Sequence, residues 1–421
     1  MQSSIKLRLT VMNFLQFAVW GAYLTSMGRY LGTAGFGSEI GNFYAMQGLV
    51  SLFMPALMGI VADRWIPAQR LLGLCHMLAG MLMLGVFLYT QTDTPSYPTL
   101  FALYSLSVAF YMPTLALSNS VAYTSLDQAG LDLVKSFPPI RVFGTVGFIC
   151  TMITVSLLGL EATSGQFAVS AIISLVLAVY AQTLPNCPTA PKGQSKSLVE
   201  ALGLRAFVLF KQRKMALFFI FSMLLGVSLQ ITNGFANPFI STFGEIPAYA
   251  DTFGVKYANI LISLSQLSET LCILLIPFAL RRFGIRRVML IAMVAWVLRF
   301  ALLGLGNPGS GVWLFLLSMI VYGVAFDFFN VSGSLFVDKE TDPSIRSSAQ
   351  GLFMIMTNGI GATLGSLGAQ AVVNHFVHTE HDTTAILAGW SMSWYIFAGY
   401  AAVVAVLFAL LFRYNTATEA K

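Results

Sequence analysis

Twelve stretches of about 20 apolar residues begin near positions 9, 39, 69, 98, 140, 165, 214, 256, 287, 311, 346 and 388. They leave this chain almost no way to fold outside a lipid bilayer. Only helices or a closed barrel satisfy every backbone N–H and C=O without water. The runs are continuous rather than alternating, so helices are expected. Composition agrees: 10% of residues are charged, against roughly 25% in a soluble domain. The runs follow one another closely, which leaves no room for a separate soluble domain. The expectation is an all-α integral membrane protein with twelve transmembrane helices.

The first six runs end at Gln182-Thr-Leu-Pro185. A polar segment follows, with Pro188, Pro191, Lys192, Gly193, Lys196, Arg205, Lys211 and Arg213. It divides the chain into an N-terminal six-helix bundle (1–185), a central loop (186–213) and a C-terminal six-helix bundle (214–421). Leu198–Phe210 alternates apolar and basic residues as a helix lying on the membrane surface does. With both termini in the cytosol, the cytosolic segments hold 20 of the 23 Lys and Arg. Only Arg29, Lys256 and Arg299 fall towards the other side. Basic residues set membrane orientation, so the net charge of +6 reads as a topology signal. A nucleic-acid footprint would need a basic stripe on a soluble face, and there is none.

Lys6 and Arg8 before an apolar run resemble a signal peptide, but no small-residue cleavage site follows, so an uncleaved first helix is expected. Cys75, Cys150 and Cys272 lie inside apolar runs and read as buried hydrophobes, and Cys187 as a loop thiol; neither a disulfide framework nor a metal site is indicated. His375, His378 and His381 share an i, i+3, i+6 spacing but no carboxylate or cysteine joins them, so a solvated loop is expected.

Gly59-Ile-Val-Ala-Asp63-Arg64 after the second run and Leu280-Arg281-Arg282-Phe283-Gly284-Ile285-Arg286-Arg287 after the eighth are short basic loops at corresponding places in the two halves. The first resembles the Gly-x-x-x-Asp-Arg loop of the major facilitator superfamily, with Ile66-Pro67-Ala68 in place of its usual Gly-Arg-Arg ending. Six runs plus six around a basic loop suit the duplicated architecture of such transporters.

Polar groups inside the runs carry the chemistry, because lipid-facing helices hold them only at a cost. In Phe137-Pro-Pro-Ile-Arg141-Val-Phe-Gly-Thr145-Val-Gly-Phe148 the two prolines suit a helix start, and Arg141, Thr145 and Phe148 share one face. Gln230 and Asn233 in the seventh run, and Gln266 and Glu269 in the eighth, are i, i+3 pairs. The tenth run brings Tyr322, Phe326 and Asp327 to roughly one side, a carboxylate among aromatics. Phe328 and Phe329 read as core. Aromatic faces sandwich a flat heterocycle, amides match base edges with both donor and acceptor, and a carboxylate accepts from two sugar hydroxyls. Together they describe a nucleoside better than an anion.

The segments Asn13-Phe-Leu-Gln-Phe-Ala-Val-Trp-Gly21, Phe110-Tyr-Met-Pro-Thr-Leu115, Phe137-Pro-Pro-Ile-Arg141, Gln230-Ile-Thr-Asn233 and Ala325-Phe-Asp-Phe-Phe-Asn330 resemble the bacterial nucleoside:proton symporters of the major facilitator superfamily. The resemblance implies that Arg141, Thr145, Phe148, Gln230, Asn233, Gln266, Glu269, Tyr322 and Phe326 form a nucleoside site. It implies that Asp327, with Arg141, couples transport to protons. The protein is then expected to be no enzyme but an importer working by alternating access as a monomer in a bacterial inner membrane. The proton would be its coupling ion, with no other cofactor. A carrier for another neutral solute such as an oligosaccharide, and a membrane enzyme or sensor without transport, are the alternatives. No Gly-rich phosphate loop or nucleophile–base set supports an ATP-driven pump or an enzyme.

Overall fold

The computed structural model describes residues 2–189, 198–202, 204–343 and 345–414. The described residues hold no strand, and nine helical stretches among them are long and apolar enough to cross a membrane. The chain clusters into two compact units: Met1–Phe36 with Met46–Leu202, and Gly37–Ala45 with Gly203–Lys421. Of the expected central loop, Pro191, Lys192, Gly193 and Lys196 lie outside the described residues.

The first unit is built on α1 (Gln2–Gly21), α2 (Met27–Thr33), α3 (Ile40–Ser51, whose first half clusters with the second unit), α4 (Met54–Arg64), α5 (Ala68–Tyr89), α6 (Tyr97–Gln128), α7 (Leu133–Leu157), α8 (Gly165–Ala181) and α9 (Leu198–Ala201). Glycines set the crossing between α1 and α7. A methyl group on Gly147 would run into the carbonyl oxygen of Phe14, and one on Gly21 into the backbone of Phe148. Small residues at such crossings let membrane helices gain packing where no hydrophobic drive exists between them. Leu9, Met12, Leu71, Leu72, Val121 and Leu177 fill the core where α1, α5, α6 and α8 meet. Arg29 pairs with the buried Glu161, Nη1 to Oε2 at 3.3 Å, in the connection after α7.

Three expectations are corrected here. α7 starts at Leu133, ahead of Pro138 and Pro139, which lie inside it. Asp132 closes the extra turn by accepting from Lys135 N through Oδ1 (3.3 Å) and from Ser136 N through its carbonyl (2.9 Å). The surface helix expected over Leu198–Phe210 is instead one helical turn, α9, and a 3₁₀ helix over Leu204–Lys211 that buries Ala206 and Leu209. Cys187 lies in a loop as expected but is buried there, and Cys150, expected as a buried hydrophobe, is exposed. The segment after α8 folds back because Gln69 Oε1 accepts from Cys187 N (2.9 Å) while Gln69 Nε2 donates to Asn186 Oδ1 (2.9 Å). Cys150 faces outward on α7, where an apolar side chain meets lipid as readily as core.

The second unit holds α10 (Arg213–Leu229), α11 (Ile231–Thr242), α12 (Pro247–Ala250), α13 (Phe253–Lys256), α14 (Ala258–Cys272), α15 (Ile276–Leu305), α16 (Val312–Glu340), α17 (Arg346–Met354), α18 (Ala362–Phe376) and α19 (Thr383–Leu411). A π-helical turn, Ile355–Gly361, joins α17 to α18. α15 breaks at Gly284, whose φ of 74° is the left-handed conformation that glycine adopts without strain. Beyond this break Arg286 donates from Nε to Phe412 O (2.6 Å) and from Nη2 to Ala409 O (2.7 Å), binding the carbonyl end of α19. A cation at a helix C-terminus meets the negative end of its dipole. Phe239, Phe300, Phe315, Trp390, Trp394 and Phe397 form an aromatic core. Phe329 lies in a second such layer with Phe218 and Phe353, as core.

Candidate functional site

In the first unit α7 carries the expected trio. Arg141 and Thr145 are half-buried and Phe148 is buried. The guanidinium of Arg141 lies over the ring of Phe17, 4.0 Å from its centroid, so an aromatic face on α1 shares its charge. Gly144, one turn on, leaves the space in which the two side chains meet. Phe148 meets the edge of Trp20 at 6.4 Å, and Trp20 packs against Tyr111 of α6 at 6.0 Å.

In the second unit α10 passes into α11 at Gln230, which keeps helical dihedrals (φ −89°, ψ −12°) and stands between Leu229 and Ile231. Gln230 Oε1 accepts from Asn233 Nδ2 at 2.8 Å, so the two amides form one unit with a donor and an acceptor to spare. A buried amide pair, Asn237 Nδ2 to Asn259 Oδ1 at 3.0 Å, ties α11 to α14. On α14 the oxygen of Gln266 is buried without a hydrogen-bond partner among the described residues.

α14 and α16 touch where Gly323 lies against the backbone of Ser268, an approach that any side chain at 323 would block. This contact brings Glu269 within electrostatic reach of Tyr322 and Asp327. Tyr322 and Phe326 lie nearly parallel, 13° apart with centroids 5.6 Å apart. Asp327 is 4% exposed, and its Oδ2 has no hydrogen-bond partner among the described residues. An unmet buried carboxylate is costly enough that a proton or a moving partner has to satisfy it.

A family model for the nucleoside H⁺ symporters matches residues 3–417. The chain belongs to the nucleoside H⁺ symporter family. It is 50% identical to the xanthosine permease of Escherichia coli (strain K12) over 98% of this chain and 97% of that one. It is 47% identical to the nucleoside permease NupG of the same organism, again over 98% and 97%. A crystal structure of a mutant of the nucleoside transporter NupG superposes with a TM-score of 0.91 at 46% identity, covering 97% of this chain and 100% of that one. These relatives are transporters, and the likeness makes the fold one of the major facilitator type.

Two intramembrane groups escaped the reading of the sequence. His76, inside α5, is fully buried, with Nε2 2.8 Å from Gln16 Oε1 and Nδ1 2.9 Å from Ser174 Oγ. Gln16 Nε2 donates onward to Thr114 Oγ1 at 2.7 Å, and Tyr111 Oη donates to the Gln16 carbonyl at 2.9 Å. One network thus joins α1, α5, α6 and α8 beside Trp20. Its only forewarning was a histidine standing alone in an apolar run. Arg299, counted above only as a basic residue towards the non-cytosolic side, is 2% exposed inside α15. Its warning was there to read: Val-Leu-Arg299-Phe-Ala-Leu-Leu is apolar on both sides. His375 and His378 flank the end of α18, and the described residues hold no group of three His, Cys, Asp or Glu able to bind a metal.

Proposed function

We propose that this protein imports nucleosides together with protons, by alternating access, across a bacterial inner membrane with both termini in the cytosol. The observation that carries this reading is Asp327: a buried carboxylate lacking a partner for Oδ2, beside stacked aromatics in a membrane helix, in a chain of the nucleoside H⁺ symporter family. Gln230, Asn233, Gln266 and Glu269 bind the base and sugar, while Phe148, Tyr322 and Phe326 stack on the flat ring. Arg141 and Thr145 complete the site. Asp327 takes up and releases the coupling proton, with Arg141 as its alternating partner. The names of the relatives speak of nucleosides rather than oligosaccharides, and amide pairs suit a base edge better than a sugar ring.

A count of twelve spans accords with the helix lengths. Ala258–Leu305 runs for 48 residues with a break at Gly284, enough for two crossings at about 20 residues each. Gln2–Gly21, at 20 residues, and Gly165–Ala181, at 17, supply the remaining two. The protein works as a monomer, since one chain carries every residue assigned to binding and coupling. Uptake of labelled uridine into proteoliposomes under an imposed pH gradient tests the function. Accumulation that follows the gradient supports it, and equal uptake with and without a gradient rejects proton coupling.

A further inference from the structure

Arg299 stands in α15 six residues short of Leu305, about 9 Å along the axis. A long cationic side chain so near a helix end ordinarily extends its head to the membrane surface. This one turns inward. Its Nη1 donates to the Ser318 carbonyl at 2.9 Å and lies 3.3 Å from Ser265 Oγ, while Ser318 Oγ donates back to the Arg299 carbonyl at 2.9 Å. Nε is buried without a partner among the described residues. The guanidinium carbon sits 4.5 Å from the centroid of the Tyr322 ring. Trp296, one turn earlier on α15, meets the same ring edge-on at 5.9 Å.

The three helices joined here are α14, α15 and α16. Ser265 precedes Gln266 and lies one turn before Glu269, and Ser318 lies one turn before Tyr322. We propose that Arg299 is a positioning residue for nucleoside binding: its hydrogen bonds to Ser318 and Ser265 hold the guanidinium in place, and its cation holds the ring of Tyr322. A packing role alone leaves the chemistry unexplained, because a leucine or methionine fills such a place without burying a charge or orphaning Nε. A cation over an aromatic face explains it, since that contact strengthens when desolvated. Tyr322, gripped by the charge and braced by Trp296, then presents a fixed ring to the base.

This inference rests on the placing of Tyr322 in the nucleoside site, and the experiment separates the two. Uridine affinity is measured by calorimetry on purified, folded Arg299→Met, Arg299→Lys, Tyr322→Leu and the double variant Arg299→Met/Tyr322→Leu. Arg299→Met should weaken binding about tenfold, within the range that one desolvated cation–π contact supplies. Arg299→Lys, which keeps a cation over the ring, should stay within about threefold of the parent. In the Tyr322→Leu background the methionine substitution should change nothing further, because the ring through which Arg299 acts is gone. Should Arg299→Met fail to fold, Arg299→Gln takes its place, its amide still reaching the Ser318 carbonyl. Normal affinity in Tyr322→Leu overturns the site itself. Weakened Tyr322→Leu beside an unaffected Arg299→Met, or an equal loss in both backgrounds, overturns only the role of Arg299. A purely structural arginine would lower the melting temperature and leave the affinity of the folded protein alone.

Discussion

Asp327 poses the sharpest question a single residue can ask here. Buried and short of a partner at Oδ2, it is stable in a membrane helix only when protonated or met by a cation. Asp327→Asn imitates the protonated acid, so it should still bind uridine while losing accumulation driven by a pH gradient, with exchange at most remaining. Binding and uptake measured on one preparation decide the point; undiminished pH-driven accumulation would remove Asp327 from coupling. For Gln230→Ala, Asn233→Ala and Glu269→Ala, each loss leaves a polar group of the site unmet, and affinity should fall by about 1–3 kcal/mol. Cys187 tests burial outside the membrane spans. Its thiol is pushed above the ordinary cysteine range by desolvation, so the reactive thiolate is scarcer at any given pH. In a variant lacking the other three cysteines, alkylation of Cys187 should reach a given rate only at higher pH than for an exposed cysteine. Equal rates across the pH range would contradict its burial.

At the scale of helices, stability and site geometry come from the same contacts. The α1–α7 crossing holds Phe148 against Trp20 and Arg141 over Phe17, and Gly147 is what allows it. Gly147→Ala puts a methyl group into the Phe14 backbone, which cannot swing aside as a side chain does. The variant should unfold at lower temperature and bind uridine more weakly, because Phe148 and Arg141 move with their helix. His76 ties four helices through one ring. His76→Leu strands Gln16 Oε1 in an apolar interior, at a cost of about 1–3 kcal/mol, while Ser174 Oγ keeps its bond to the carbonyl of residue 76. A clear drop in the midpoint of thermal unfolding in detergent is expected, and an unchanged midpoint would mean that the network contributes little.

For the whole molecule, proton coupling makes a prediction that no single side chain makes. A protonophore should abolish concentrative uptake while leaving exchange of labelled for unlabelled uridine, since exchange needs the site but no gradient. Loss of both would point to damage rather than uncoupling. The detergent-solubilised protein should have the mass of one 45.7 kDa chain after correction for bound detergent.

The membrane fold was legible in the sequence because burying apolar surface in lipid needs only composition and run length, and both are local. The i, i+3 amide pairs were legible for the same reason: helical periodicity alone put Gln230 beside Asn233, and the structure joins them at 2.8 Å. The amide pair of Asn237 and Asn259 was not, because its members come from different helices and only packing brings them together. Nor were the partners of His76 and Arg299, drawn from helices far apart in the chain. The burial of Cys187 was not legible either, because a polar loop says nothing of what it folds back upon. Periodicity places a polar side chain on a face of its helix. Which neighbour that face meets, and whether a charge finds a carbonyl, a ring or nothing, is settled only when the helices pack.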